Sequence, residues 1–154
     1  MKTVLTLITT LTFLTGCVDK NGFDNFNFTP KQEHWENNQV TTKIESETQI
    51  DGTISAVYLN KVMPELYKNG EYFYVSLYLK DESVKLSFSL NAQNSLLQEK
   101  LKNNEEFQQF DKNTNRWNSY YIVGFAEQKD VESLRLEAKG VNLTSGKMIF
   151  KKDE

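Results

Sequence analysis

The chain holds one cysteine and one histidine in 154 residues. A single cysteine cannot close a disulfide within the chain, so the fold has no internal staple. A lone histidine excludes metal ligation of the Cys/His kind, which needs several such ligands. It also leaves Glu33-His34-Trp35-Glu36 one histidine short of a metalloprotease helix. A Ser-His-Asp or Cys-His catalytic set would have to use His34, in a polar stretch that reads as a spacer. Catalytic geometry needs rigid support, so this stretch is a poor place for it. Two prolines and seven glycines are few beside ten phenylalanines and seven tyrosines. That balance favours a packed, strand-rich core. A basic excess is missing too, since the net charge is −3. Nucleic-acid binders usually carry a basic stripe, so nothing here attracts a polyanion electrostatically. No apolar run approaches the roughly 20 residues of a membrane-spanning helix. The length suits one domain with a core of adequate size.

What is present begins at the N-terminus. Met1-Lys2 is a short positive start, and Val4 to Leu14 is an apolar run diluted with threonines. Leu14-Thr15-Gly16-Cys17 follows. A charged start, a short apolar stretch and small residues before a cut site make a secretory signal. The last four residues resemble the lipobox of bacterial lipoproteins. That resemblance implies cleavage after residue 16 and a lipid, including acyl chains of the palmitate kind, on Cys17. One acyl chain holds a protein marginally, whereas several anchor it stably. The implied address is the cell envelope, with the lipid bilayer as first partner. In a Gram-negative host, Val18 in place of an aspartate implies the outer membrane, facing the periplasm.

Residues 17–43 read as the lipidated cysteine and a flexible tether, and 44–154 as the folded domain. The tether is rich in Asn, Lys, Glu and Gln and is interrupted by Pro30. Its aromatics Phe23, Phe26, Phe28 and Trp35 leave two options open: docking on the domain, or a free spacer. Ile50 to Val62 reads as a long strand bent at Gly52. Tyr72 to Lys80 alternates strictly, with Phe73, Val75, Leu77 and Leu79 on one face. Val84, Leu86, Phe88 and Leu90 continue the pattern across a turn, and this apolar face must point to the core. Ser95 and Gln98 have capping-box spacing, and Leu96, Leu97, Leu101, Phe107 and Phe110 share half a helical wheel, so a helix is predicted there. Strands follow at Trp117 to Ala126 and around Leu134 to Lys139, with a last hairpin near Ser145-Gly146.

The predicted order is three strands, a helix and two strands. This order, with Gly52 in the first strand, resembles the OB-fold, a five-stranded partly open barrel, and in particular its exported, tRNA_anti-like members. A small antiparallel sandwich, or an α+β sheet under one helix, would use the same inner faces.

The chemistry-bearing groups are sparse. Glu105-Glu106, Asp81-Glu82 and the pair Asp130/Glu132 are possible paired carboxylates, but all fall among polar neighbours and read as solvated charge. Gly140 to Lys147 fails as a phosphate loop on spacing, and Met148 stands where Ser or Thr is needed. The chain therefore reads as non-enzymatic, with no cofactor. The candidate binding surface is the face opposite the core: Tyr72, Tyr74 and Tyr78, with Lys80 and Lys85. In OB-folds the outer face of strands two and three is the usual ligand platform, where aromatic rings stack on bases or sugars. Phenols also suit protein interfaces. Equally, tyrosines are good strand formers, and a tether bearing Trp35 could cover them. The expected role is binding or assembly with an envelope protein. The alternatives are an OB-type module for nucleic acid or oligosaccharide, and an inhibitor or immunity-type lipoprotein.

Overall fold

The computed structural model describes residues 29–102, 105–111 and 114–152. The signal segment, Cys17, Val18, Phe23, Phe26 and Phe28 lie outside the described residues. The described chain runs α1 (Pro30–Asn37), β1 (Gln39–Glu45), β2 (Ile50–Tyr58), α2 (Leu59–Val62), β3 (Glu71–Leu79), β4 (Ser87–Leu90) and β5 (Gln93–Asn94). It continues with β6 (Leu97–Lys100), α3 (Glu105–Gln108), β7 (Ser119–Phe125), β8 (Ser133–Gly140), β9 (Leu143–Ser145) and β10 (Met148–Lys151). With 48% strand and 13% helix, the protein is mainly β.

The strands form one antiparallel sheet in the order β5-β4-β8-β9-β1-β2-β3-β7-β6, with β10 beside β8. The sheet curls into a half-barrel. Residues 93–100 pair with β4 at their start and β7 at their end, so they join the two ends of the strand order. At the junction, Ser95 donates its N–H to Phe88 O (3.1 Å) and Leu96 donates to Gly124 O (2.8 Å).

The inner face is filled. Phe73, Val75, Leu77 and Leu79 of β3 are all buried, as the period-two pattern requires. They pack with side chains such as Ile54, Phe88, Leu136 and Phe150 in one continuous core. Gly52 sits where the pairing of β1 with β2 slips, leaving Asp51 outside the register. A Cβ on Gly52 would lie 2.2 Å from Tyr78 O, so the close approach of β3 demands glycine.

One charge is buried in this core. Glu71 opens β3 on the inner face and is 1% exposed. Its carboxylate accepts from Tyr58 OH at 2.5 Å and from the Gln128 N–H at 2.9 Å, and pairs with Lys152 Nζ at 2.9 Å. Lys152 Nζ also donates to Gln128 O. A buried carboxylate is tolerated when it is paired and hydrogen-bonded in this way. Removing one donor leaves part of it unsatisfied. Tyr58→Phe is expected to cost about 1.5–3 kcal/mol in urea unfolding, because the lost bond goes to a charged group.

A second, smaller core lies outside the half-barrel. The outward residues Val57, Tyr74, Tyr120 and Ile122 are covered by Trp35 of α1, Leu59 of α2 and Phe107 of α3. Helix α1 starts at a capping box: Thr29 Oγ1 accepts the Gln32 N–H, Gln32 Oε1 accepts the Thr29 N–H, and Pro30 stands at the first helical position.

Several sequence expectations change. The sheet has ten strands, not five, and the three-strand, helix, two-strand order of the OB-like reading does not describe it. Left-handed residues account for part of the difference. Asn91 and Ala92 (φ 47° and 67°) turn β4 back into β5, and Asn142 (φ 58°) turns β8 into β9. The start of the predicted helix from Ser95 is instead strand β6 (Leu97–Lys100), and among the described residues of that stretch the helical ones are Glu105–Gln108. Its Leu96 is 78% exposed, and β7 supplies a partner for the backbone, so sheet pairing overrides the helical pattern. The stretch read as tether contains α1 and most of β1, so regular structure starts before residue 44.

Candidate functional site

The helices cover only one end of the outer sheet face. Beyond them, the pairing aligns Thr41, Ser55, Ser76 and Tyr120 in one row across β1, β2, β3 and β7. Hydroxyl-bearing residues at directly opposed positions point the same way. Thr41 Oγ1 and Ser55 Oγ lie 2.7 Å apart, and Asn118 Nδ2 donates to Ser76 Oγ at 2.8 Å.

A cleft of about 210 Å³ opens over this row. Gln39 and Ser55 stand on one side, Asn115 and Asn118 on the other, with Ser76, Tyr74 and Asp111 deeper. Ser76 and Asp111 are each 9% exposed. The Tyr74 hydroxyl donates to Asp111 Oδ2 at 3.2 Å. The loop before β7 is fixed from below by Tyr120. Its hydroxyl accepts the Asn115 N–H at 2.7 Å and donates to Asn115 O at 3.0 Å. Asn115 in turn accepts the Trp117 N–H at 2.9 Å. Trp117 stands beside Asn118 in sequence and is 58% exposed, with the Arg116 guanidinium 4.4 Å from its ring.

Among the described residues, the lining is a set of neutral donors and acceptors with one carboxylate and the buried Val57, and no lysine or arginine belongs to it. Two other clefts, near 360 and 520 Å³, carry lysines: one lies between α1 and β10, the other beside Lys129 and Lys152. The first places His34 over β10, with Nε2 3.1 Å from Lys61 O.

The five residues read from the sequence as a binding face differ in exposure and do not form one open surface. Tyr74 is 1% exposed and packed under Trp35, so it is no stacking platform. Only its hydroxyl serves the cleft. Tyr72 is half-buried, with its ring 5.5 Å from that of Tyr67 and lying against Gly124. Burial, with Glu106 and Glu99 nearby, raises the Tyr67 phenol above its usual range. Tyr78 is exposed and stands opposite Thr53. Lys80 donates to Ile50 O at 2.6 Å, and Lys85 is exposed just before β4. The residues that build the cleft were missed. The available signal was Ser76, the one small polar residue interrupting the outward tyrosines of β3. A short residue there leaves a depression between Tyr74 and Tyr78.

Compared with family models, curated proteins and solved structures, the chain matches none.

Proposed function

We propose that this chain is an exported, lipid-anchored protein of the cell envelope with a non-catalytic binding role, and that the cleft over Ser55 and Ser76 is its binding point. The anchor rests on Leu14-Thr15-Gly16-Cys17 behind a short apolar run. The observation that carries the binding role is the cleft itself. Its deep polar groups are held in place, Ser76 by Asn118 and Asp111 by Tyr74, which is preorganisation for a bound partner. Fixed polar side chains at the foot of a small depression select a ligand by hydrogen-bond geometry.

The neutral lining disfavours a nucleic-acid ligand. Phosphates demand cations, and among the described residues that line the cleft the one charged side chain is the carboxylate of Asp111. An envelope protein presenting polar groups, or a sugar, meets the same lining without that penalty.

Photo-crosslinking in intact cells tests the binding role. Benzoylphenylalanine in place of Trp117 is expected to give a discrete covalent adduct. The same residue in place of Val141, 83% exposed in the β8–β9 turn, should give none. Ser76→Leu, which fills the depression, should abolish the adduct from position 117. Equal labelling from both positions, or labelling indifferent to Ser76→Leu, would refute the assignment.

A further inference from the structure

The open edge of β1 points to a class of partner, and this step rests on the binding role proposed above. We infer that an extended peptide segment of an envelope protein, apolar at every second residue, adds as a strand to β1 on the side facing β10.

The ladders fix which way the main chain of β1 turns. Asn38 O accepts the Tyr58 N–H on the β2 side, and Lys43 O accepts the Gly146 N–H on the other. Main-chain groups alternate sides along an antiparallel strand, so Gln39 and Thr41, like Lys43, turn theirs away from β2. On that far side β1 meets β9 only at Ile44 and Glu45. Among the described residues, the N–H and C=O of Gln39 and Thr41 therefore have no main-chain partner. Strand β10 faces them in a similar state. Arg135 turns its N–H and C=O to Asn91, so Ile149, opposite Arg135, turns its own away from β8 and toward β1. The two edges stand apart, with a cleft of about 360 Å³ between Asn38 and Val40 on one side and Ile149 and Phe150 on the other. From the Lys43–Gly146 bond, β1 and β10 part like the arms of a fork.

Side chains give the occupant its pattern. Val40, Met148 and Phe150 pack against the main core, so a strand lying along β1 aims every second residue at apolar surface. Its other residues point outward, beside Gln39 and Thr41. Gln39 lines the cleft over Ser55 and Ser76, and Thr41 stands in one row with both. The added strand would thus continue that row, and its outward side chains would reach the rim of the cleft. In strand addition the main-chain bonds supply affinity and the alternate side chains supply specificity. The edge and the cleft together offer both, and only a peptide has a main chain to use the first.

Amide hydrogen exchange at Gln39 and Thr41 reads the edge directly. The full chain in detergent micelles would be mixed with a peptide of alternating valine and threonine, and separately with the same peptide N-methylated at every residue. The first peptide is expected to slow exchange at both amides at least about tenfold, and the second to leave it unchanged. Thr41→Pro removes one donor from the open side and spares the ladder to β2, so it should abolish the slowing at Gln39. Thr41→Val should keep it. The buried emission of Trp35 reports that each variant is folded, and the methylated peptide makes the same comparison with the protein unaltered. No slowing by the first peptide overturns the inference, as does equal slowing by the second or slowing that survives Thr41→Pro. Two results without peptide also overturn it. Slowing that rises with protein concentration would place a second copy on the edge. Slow exchange relieved when residues 18–28 are replaced by glycine and serine would place the chain's own N-terminal segment there. If the amides stay unprotected while position 117 still gives its Ser76-dependent adduct in cells, the binding role stands and the added strand falls. If both fail, both readings fall.

Discussion

Cys17→Ala is expected to abolish incorporation of alkyne-palmitate completely and to leave no lipid-modified N-terminus in the mass spectrum. The size of the effect follows from the count. The chain has one thiol, so no second site can take the modification. Each buried methylene contributes about 0.8 kcal/mol to membrane affinity, so two or three acyl chains make attachment stable. Among the described residues, no helix is long and apolar enough to cross a membrane. The lipid is thus the attachment that the proposed envelope location depends on. Mature protein carrying the lipid should pellet with membranes and enter the detergent phase. A wild-type chain isolated with Met1 intact and a free thiol would overturn the export reading and the envelope location together.

Trp35→Ala should be the most damaging single substitution in the small outer core. The indole is 1% exposed, meets Tyr74 edge-on at 5.2 Å and stacks on Phe110 at 5.5 Å with planes 9° apart. Phe107 closes the third side at 5.9 Å. Truncating a fully buried tryptophan to alanine costs about 3–5 kcal/mol. With a urea dependence of about 1–3 kcal/mol per molar, the midpoint should fall by more than about 1 M. Trp117→Ala removes a ring of the same size from an exposed loop and should stay within about 0.5 kcal/mol. A loss below 1 kcal/mol for Trp35→Ala would mean that α1 is not part of the cooperative unit, and the cover over Tyr74 would then be incidental.

The inner face was legible and the outer face was not, and the reason is physical. Burial on the inner face imposes a period of two, so Phe73, Val75, Leu77 and Leu79 announce themselves. Gly52 was legible as a bend for a similar reason, since a glycine inside a β-branched run has few other uses. The cover on the outer face carries no such period. Helix α1, Pro-Lys-Gln-Glu-His-Trp-Glu-Asn, has one large apolar residue and nothing else to form a stripe. Its signature was Thr29 with Gln32 three residues on and Pro30 between them. Ser95 with Gln98 carries the same spacing and lies in sheet. The difference lies in what surrounds each motif. Proline at the first helical position excludes ladder pairing, whereas Leu96 and Leu97 accept it. Candidate site residues followed the same logic. Large outward rings drew notice, while the depression at Ser76 depends on Asn118 and Asp111, each more than 30 residues away along the chain.

The double pairing of residues 93–100 has a consequence for how the molecule resists damage. One short segment serves as the seam of the sheet, stitched to β4 on one side and β7 on the other. While it holds, neither of those strands offers an unpaired rim on which another chain could grow, the usual starting point of cross-β aggregation. A protease cut near Ser95 would unpick both rims at once. The intact half-barrel and the nicked one should therefore differ far more in fibril formation than in folded content.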